Sequence, residues 1–160
     1  MELQQLSTHQ LEQLITETTI MDIEFCMGSI PPMHVLARSA EQIQNGKPEQ
    51  WALPLMMVSQ GRVVGFCGFK SEPKGGDIEI GYNVSPEQQG RGFAKSAVKQ
   101  ICQIAFSSSS VERVVALISS TNLASLNVVK ANGFVFQGMT VDDEGEELEK
   151  WLVYKGSADS

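Results

Sequence analysis

The residues best able to do chemistry fall in two segments. The first runs Glu79-Ile80-Gly81-Tyr82-Asn83-Val84 and continues through Gln89-Gly90-Arg91-Gly92-Phe93-Ala94-Lys95, an apolar strand pattern passing through a glycine-rich turn into a helical one. Where a helix begins, the first backbone amides lack an internal partner and the helix dipole adds partial positive charge, so such a turn can hold phosphate. Gly90 and Gly92 let the backbone take unusual angles and approach an anion closely. The backbone from Gly90 to Ala94 is therefore the expected cradle, with Arg91 and Lys95 adding charge. The alternative for these two side chains is plain solvation. Glu79 is a carboxylate placed to accept a proton, or else a solvated or salt-bridged strand residue. The second segment, Asn122-Leu123-Ala124-Ser125-Leu126-Asn127-Val128-Val129-Lys130-Ala131-Asn132-Gly133-Phe134, brings an amide and a hydroxyl, Asn122 and Ser125, to the start of another helix. There Asn122 could be only a cap and Ser125 could bond only within its helix.

Phosphate-binding turns of two other kinds fit poorly. A nucleoside-triphosphate loop needs G-x-x-x-x-G-K-[ST], which is absent, and a dinucleotide fingerprint needs a third glycine where Lys95 stands. The segment instead resembles the coenzyme A pyrophosphate loop of the GNAT acetyltransferases, [QR]-x-x-G-x-[GA], met by Gln89, Gly92 and Ala94. The second segment resembles the family's N-x-x-S-x-x-V helix ending in G-F, met by Asn122, Ser125, Val128, Gly133 and Phe134. A Gly-x-Gly turn alone is often only a tight turn, and a lone amphipathic helix is often only core. The pair in this order and spacing points to the family, chiefly over Glu79 to Phe134 and nearest the ribosomal-protein N-terminal acetyltransferase-like subgroup.

The resemblance implies a cofactor and a mechanism. Acetyl-coenzyme A lies with its pantetheine arm between two splayed central strands, here Asp77 to Ser85 and Val111 to Ser119. It is contacted by Tyr82, Asn83, Val84, Gln89, Gly90, Arg91, Gly92, Phe93, Ala94, Lys95, Asn122, Ser125, Asn127 and Lys130. A primary amine, from a small molecule or a protein N-terminus, attacks the thioester directly, with Glu79 taking its proton and no metal involved. Many relatives place a tyrosine before the G-F pair as the acid for the thiolate. Val129 occupies that neighbourhood here, so Ser125, matching a serine of the ribosomal-protein subgroup, is the expected thiol partner, and Asn122 holds the pantetheine end. The alternatives are a catalytically silent acyl-coenzyme A sensor on the same fold and a pure interaction domain.

The elements that must position these groups can be read from periodicity and turn chemistry. Residues 2 to 6 form a strand, and Thr8 caps a helix carrying Leu11, Leu14 and Ile15 on one face. Residues 18 to 32 form a loop, followed by a helix over 33 to 44. Residues 53 to 59, 62 to 71 and 77 to 85 form an antiparallel meander. A helix with Ala94, Val98, Ile101, Cys102 and Ala105 at 3.6 spacing follows, then a strand over 111 to 119, a helix over 122 to 132, and paired strands over 134 to 141 and 148 to 155. Residues 156 to 160 fray. The fold class is a mixed, mainly antiparallel α/β sheet flanked by helices, as in GNAT proteins.

Composition bounds the partners. The chain of 160 residues, 42% hydrophobic, suits a single domain spanning residues 1–160. A net charge of −7 argues against nucleic acid or an anionic membrane. From Gln88 to Val111 there is no acidic residue, while Arg91, Lys95 and Lys99 recur every four, a local invitation to an anionic ligand. The N-terminus reads neither as a signal peptide nor as a membrane span, so a cytoplasmic location is expected. Cys26, Cys67 and Cys102 read as reduced packing residues. The acidic run Asp142, Asp143, Glu144, Glu146 and Glu147 could draw in a cationic amine, or be a solvated turn. Trp51, Phe25 and Met33 could line an acceptor pocket, or be core. The oligomeric state stays open, a homodimer being common among relatives.

Overall fold

The computed structural model describes residues 1–157. Its first helix, α1 (Thr8–Glu17), corrects the expected cap: Ser7, not Thr8, is the N-cap. Ser7 Oγ accepts from the Gln10 amide at 3.1 Å and the Ser7 amide donates to Gln10 Oε1 at 2.9 Å. This capping box satisfies two donors that would otherwise be orphaned.

The strands are β1 (Glu2–Gln5), β2 (Glu24–Phe25), β3 (Leu55–Ser59), β4 (Arg62–Phe69), β5 (Asp77–Val84), β6 (Arg113–Ile118), β7 (Val135–Val141) and β8 (Glu147–Tyr154). They form one sheet in the order β1-β3-β4-β5-β6-β8-β7, with β2 alongside β4. The meander of β3, β4 and β5 is antiparallel, as the turn at Gln60-Gly61 requires. β5 and β6 run parallel, and a parallel pair needs a crossover. That crossover is α4 (Phe93–Phe106), so one connection both closes the sheet and sets a helix start at the end of β5.

Side chains alternate across the sheet and feed two cores. On one face Ile78, Ile80 and Val114 pack against Val98, Ile101 and Ala105 of α4 and against α5 (Leu123–Ala131). On the other, Val63 and Phe66 pack against Leu11 and Leu14 of α1 and Leu36 of α2 (Met33–Gln44). Two short elements escape sequence reading. β2 lies within the stretch expected to be loop, and α3 (Glu49–Ala52), started by Pro48, carries Trp51 into the core against Phe69 at a ring separation of 5.0 Å.

Gly65 is required by close approach, because a Cβ there would lie 2.2 Å from the Asn83 carbonyl oxygen. Cys26, Cys67 and Cys102 are buried and free. Burial pushes the Cys67 thiol far up and the Cys102 thiol up to about 12, as expected of inert packing residues. No helix among the described residues is long and apolar enough to cross a membrane. Part of the segment expected to fray, residues 158–160, lies outside the described residues. The Ser157 amide before it donates to the Tyr154 carbonyl.

Candidate active site

The parallel ladder between β5 and β6 is short. It joins Asp77 to Arg113, Ile78 to Val114 and Glu79 to Val115. From Ile80 to Val84, β5 keeps only its β4 neighbour, so the two strands part and leave an open backbone edge inside the sheet. A cleft of about 430 Å³ occupies the gap. It brings together the predicted residues Tyr82, Asn83, Val84, Gln89, Gly90, Gly92, Phe93, Ala94, Lys95, Asn122 and Ser125.

The glycine turn leaves backbone donors free at its open side. Gly90 and Gly92 take φ of 81° and 82°, the left-handed region that favours glycine. Gly92 is the N-cap of α4 and no side chain caps the helix. The first-turn amides of a 14-residue helix therefore remain for an anion at the cleft. This donor set fits the pyrophosphate of coenzyme A.

The other predicted contacts divide. Gln89 Nε2 reaches back to the Val84 carbonyl at 3.4 Å, a long contact that folds the turn onto β5. Arg91 faces a separate hollow of about 110 Å³ beside Gln60 and Arg62. Lys95 and Lys130, joined by Lys99, border a depression of about 520 Å³ that begins at Gly92. Lys99 was visible in the sequence only as part of a positive stretch. Asn127 is exposed and lines neither cleft nor depression.

The far wall of the cleft is the start of α5. Asn122 Oδ1 accepts from the Ser125 amide at 3.1 Å, so Asn122 is a helix cap as well as a lining residue. Tyr82 Oη donates to the Ser125 carbonyl at 3.1 Å. Burial raises the Tyr82 phenol above its ordinary value, and the nearby Ser125 side chain opposes this with a smaller effect. The phenol therefore holds its proton at neutral pH. Periodicity offered no signal for this role, since Tyr82 is distant in sequence from α5 and meets it only through the crossover.

A second cavity, about 340 Å³, lies between α2 and the β4–β5 pair. Its walls include His34, Arg38, Phe66, Gly68, Lys70 and Gly81, and it shares Tyr82 and Asn83 with the cleft. The Asn83 amide group donates to the Ser29 carbonyl at 2.8 Å, tying β5 to the chain entering α2. Glu79, the last residue of the parallel ladder, lines neither space directly. Its Oε2 lies 2.6 Å from Lys70 Nζ, and both side chains are about one-third exposed.

The acidic run stays apart from both spaces. Asp142 Oδ1 accepts from the amides of Glu144 and Glu146, organising the β7–β8 turn. Phe25 stacks on Phe66, Trp51 belongs to the core, and Met33 is exposed; none of the three lines either space.

Residues 3–135 match the family model described as an acetyltransferase (GNAT) domain. A segment of 83 residues is 31% identical to N-acetyltransferase p20 of Bacillus licheniformis, itself described as uncharacterized, and covers 51% of this chain and 47% of that protein. The chain thus spans about half the length of the curated relative it matches. The solved aminoglycoside acetyltransferase AAC(6')-Ib with coenzyme A aligns with a TM-score of 0.69 and 17% identity, over 98% of this chain and 96% of that one. Spermidine N-acetyltransferase of Vibrio cholerae, in complex with CoA and spermine, aligns with a TM-score of 0.69 and 15% identity, over 99% and 98%. At such identities these structures establish the fold. With the family model spanning most of its length, the chain belongs to the GNAT acetyltransferase family.

Proposed function

We propose that the chain is an N-acetyltransferase that moves an acetyl group from acetyl-coenzyme A to a primary amine. One observation carries the reading: the parallel ladder stops at Glu79, and the open edge of β5 leads straight to an uncapped glycine-started helix. Structural neighbours in complex with coenzyme A and kanamycin, or with CoA and spermine, support an amine as acceptor.

Bound acetyl-coenzyme A supplies a thioester carbonyl activated toward amines. The first-turn amides of α4 hold the pyrophosphate, and Lys95, Lys99 and Lys130 offer charge to the remaining phosphate. The open backbone of β5 beyond Glu79 offers donors and acceptors to the pantetheine amides. The acceptor nitrogen forms its bond to the acetyl carbon as the carbon–sulfur bond breaks. Glu79 takes the proton from nitrogen, directly or through water. The departing sulfur receives a proton from Tyr82 Oη, or from Ser125 Oγ beside it. Ser125, Asn122 and the absence of a tyrosine at Val129 support a thiol side built as in the ribosomal-protein N-terminal acetyltransferases, which leaves the acceptor unspecified. A homodimer is supported by the outer edge strand β7, which exposes Val135, Met139 and Val141; sedimentation measures it.

The alternative is a catalytically silent acyl-coenzyme A sensor, favoured by the engagement of Glu79 with Lys70. Calorimetric titration with acetyl-coenzyme A followed by thiol release across an amine panel separates the two. Binding with turnover supports the transferase, binding without turnover supports the sensor, and absence of binding rejects both.

A further inference from the structure

The cavity between α2 and the β4–β5 pair carries charge opposite to that of the chain as a whole. The net charge is −7, yet the cavity is lined by Arg38 and Lys70, with His34 beside them and no Asp or Glu. Arg38 lies on α2 one turn before Gln42, whose Nε2 donates to the Lys70 carbonyl at 2.7 Å. Residues four apart share a helix face, so Arg38 is turned, like Gln42, toward the chain leaving β4.

Arg38 is half-buried and has no ion pair or hydrogen-bond partner among the described residues. Charges drawn away from water are ordinarily paired. The guanidinium fork matches a carboxylate through two parallel hydrogen bonds. Lys70 is already paired with Glu79 at 2.6 Å. The charged groups therefore pass from an unpaired Arg38 to Lys70 and, through its ion pair, to the carboxylate assigned to the amine's proton. That sequence of charges complements a molecule with an anionic end and an amino end.

We propose that the acceptor is an amino carboxylate, its carboxylate held by Arg38 with Lys70 alongside and its amine directed toward Glu79. The proposal rests on the transferase reading and narrows its substrate class. The volume of about 340 Å³ suits a small molecule. The same lining opposes a polycationic amine, and the acidic run of the β7–β8 turn contributes nothing to this cavity.

The test measures thiol release from acetyl-coenzyme A with each proteinogenic amino acid beside its decarboxylated amine, and with spermidine and kanamycin. At least one amino acid is expected to exceed its decarboxylated counterpart by roughly tenfold or more in kcat/KM. Arg38→Gln is expected to raise KM for that amino acid roughly ten- to hundredfold, the worth of a hydrogen bond to a charged group. It should leave kcat and the KM of the decarboxylated amine within about twofold. Arg38→Lys, keeping the charge without the fork, should fall between, and unchanged acetyl-coenzyme A affinity in both variants reports an intact fold.

Equal or better turnover of the decarboxylated amines or of spermidine overturns the amino-carboxylate proposal and leaves the transferase standing. If no amine releases thiol, the transferase reading fails and the carboxylate site is judged by calorimetry with the N-acetyl amino acids. Binding that Arg38→Gln abolishes upholds the site; no binding by the native protein overturns it.

Discussion

Replacing Gly92 tests the assignment of the α4 N-terminus because charge there acts in opposite directions on folding and on binding. Gly92 has φ of 82° and no atom within 4 Å of where a Cβ would stand. Alanine and glutamate therefore share one penalty, about 1–2 kcal/mol for an L-residue in the left-handed region. Glutamate at a helix start then recovers roughly 0.3–1 kcal/mol from the dipole, so Gly92→Glu is expected to melt at or above Gly92→Ala. A carboxylate about 4 Å from a bound phosphate, at an effective dielectric near 20, repels by about 4 kcal/mol. Allowing half for reorientation, acetyl-coenzyme A affinity falls roughly 30- to 1,000-fold relative to Gly92→Ala. Thermal melts and calorimetric titrations of the three proteins provide both readings. A folded Gly92→Glu protein that binds within threefold of Gly92→Ala refutes the reasoning, since the pyrophosphate would then lie elsewhere.

Glu79→Gln lowers kcat roughly 100-fold or more, most strongly at low pH where the amine holds its proton; a pH–rate profile parallel to the native one removes Glu79 from the mechanism. Tyr82→Phe lowers kcat at unchanged acetyl-coenzyme A affinity, while Ser125→Ala changes kcat less. The reverse order in single-turnover measurements assigns the proton to Ser125. The folded chain keeps the Cys102 proton up to about 12, whereas an unfolded thiol loses it near 8.5. Protons are then held preferentially by the folded state, so stability falls as pH rises through that window. Chemical denaturation from pH 8 to 10 is expected to show a shallower decline in Cys102→Ala than in the native protein.

The parts of the candidate site legible in the sequence are those in which local chemistry and position coincide. Gly90 and Gly92 need positive φ wherever they stand, and Asn122 caps the helix that follows it, so both segments land where their patterns place them. The capping box at Ser7 carries its own sequence signal, Ser-x-x-Gln, one residue before Thr8. Other features required the tertiary fold. Arg38 lies on α2 and Lys70 just past β4, with no common motif, and only the tertiary fold brings them to one cavity. The Tyr82 hydroxyl finds its acceptor, the Ser125 carbonyl on α5, only through the crossover. Arg91 belongs to the motif, yet its side chain is drawn to a hollow beside the β3–β4 turn. α3 is a single turn, too short for any hydrophobic period to register.

The brevity of the β5–β6 ladder also divides the sheet into two cooperative units, β1-β3-β4-β5 and β6-β8-β7, joined at one end by three residue pairs. Most of the backbone bonding is internal to one unit or the other, and α4 packs against both. A ligand bonding along the β5 edge then acts as a removable strand, and its binding energy adds to the coherence of the two halves. Native-state hydrogen exchange should accordingly find the amides flanking the cleft opening sub-globally in the free protein. With acetyl-coenzyme A bound, they should open only with global unfolding, so that the ligand sets how many units the protein unfolds in.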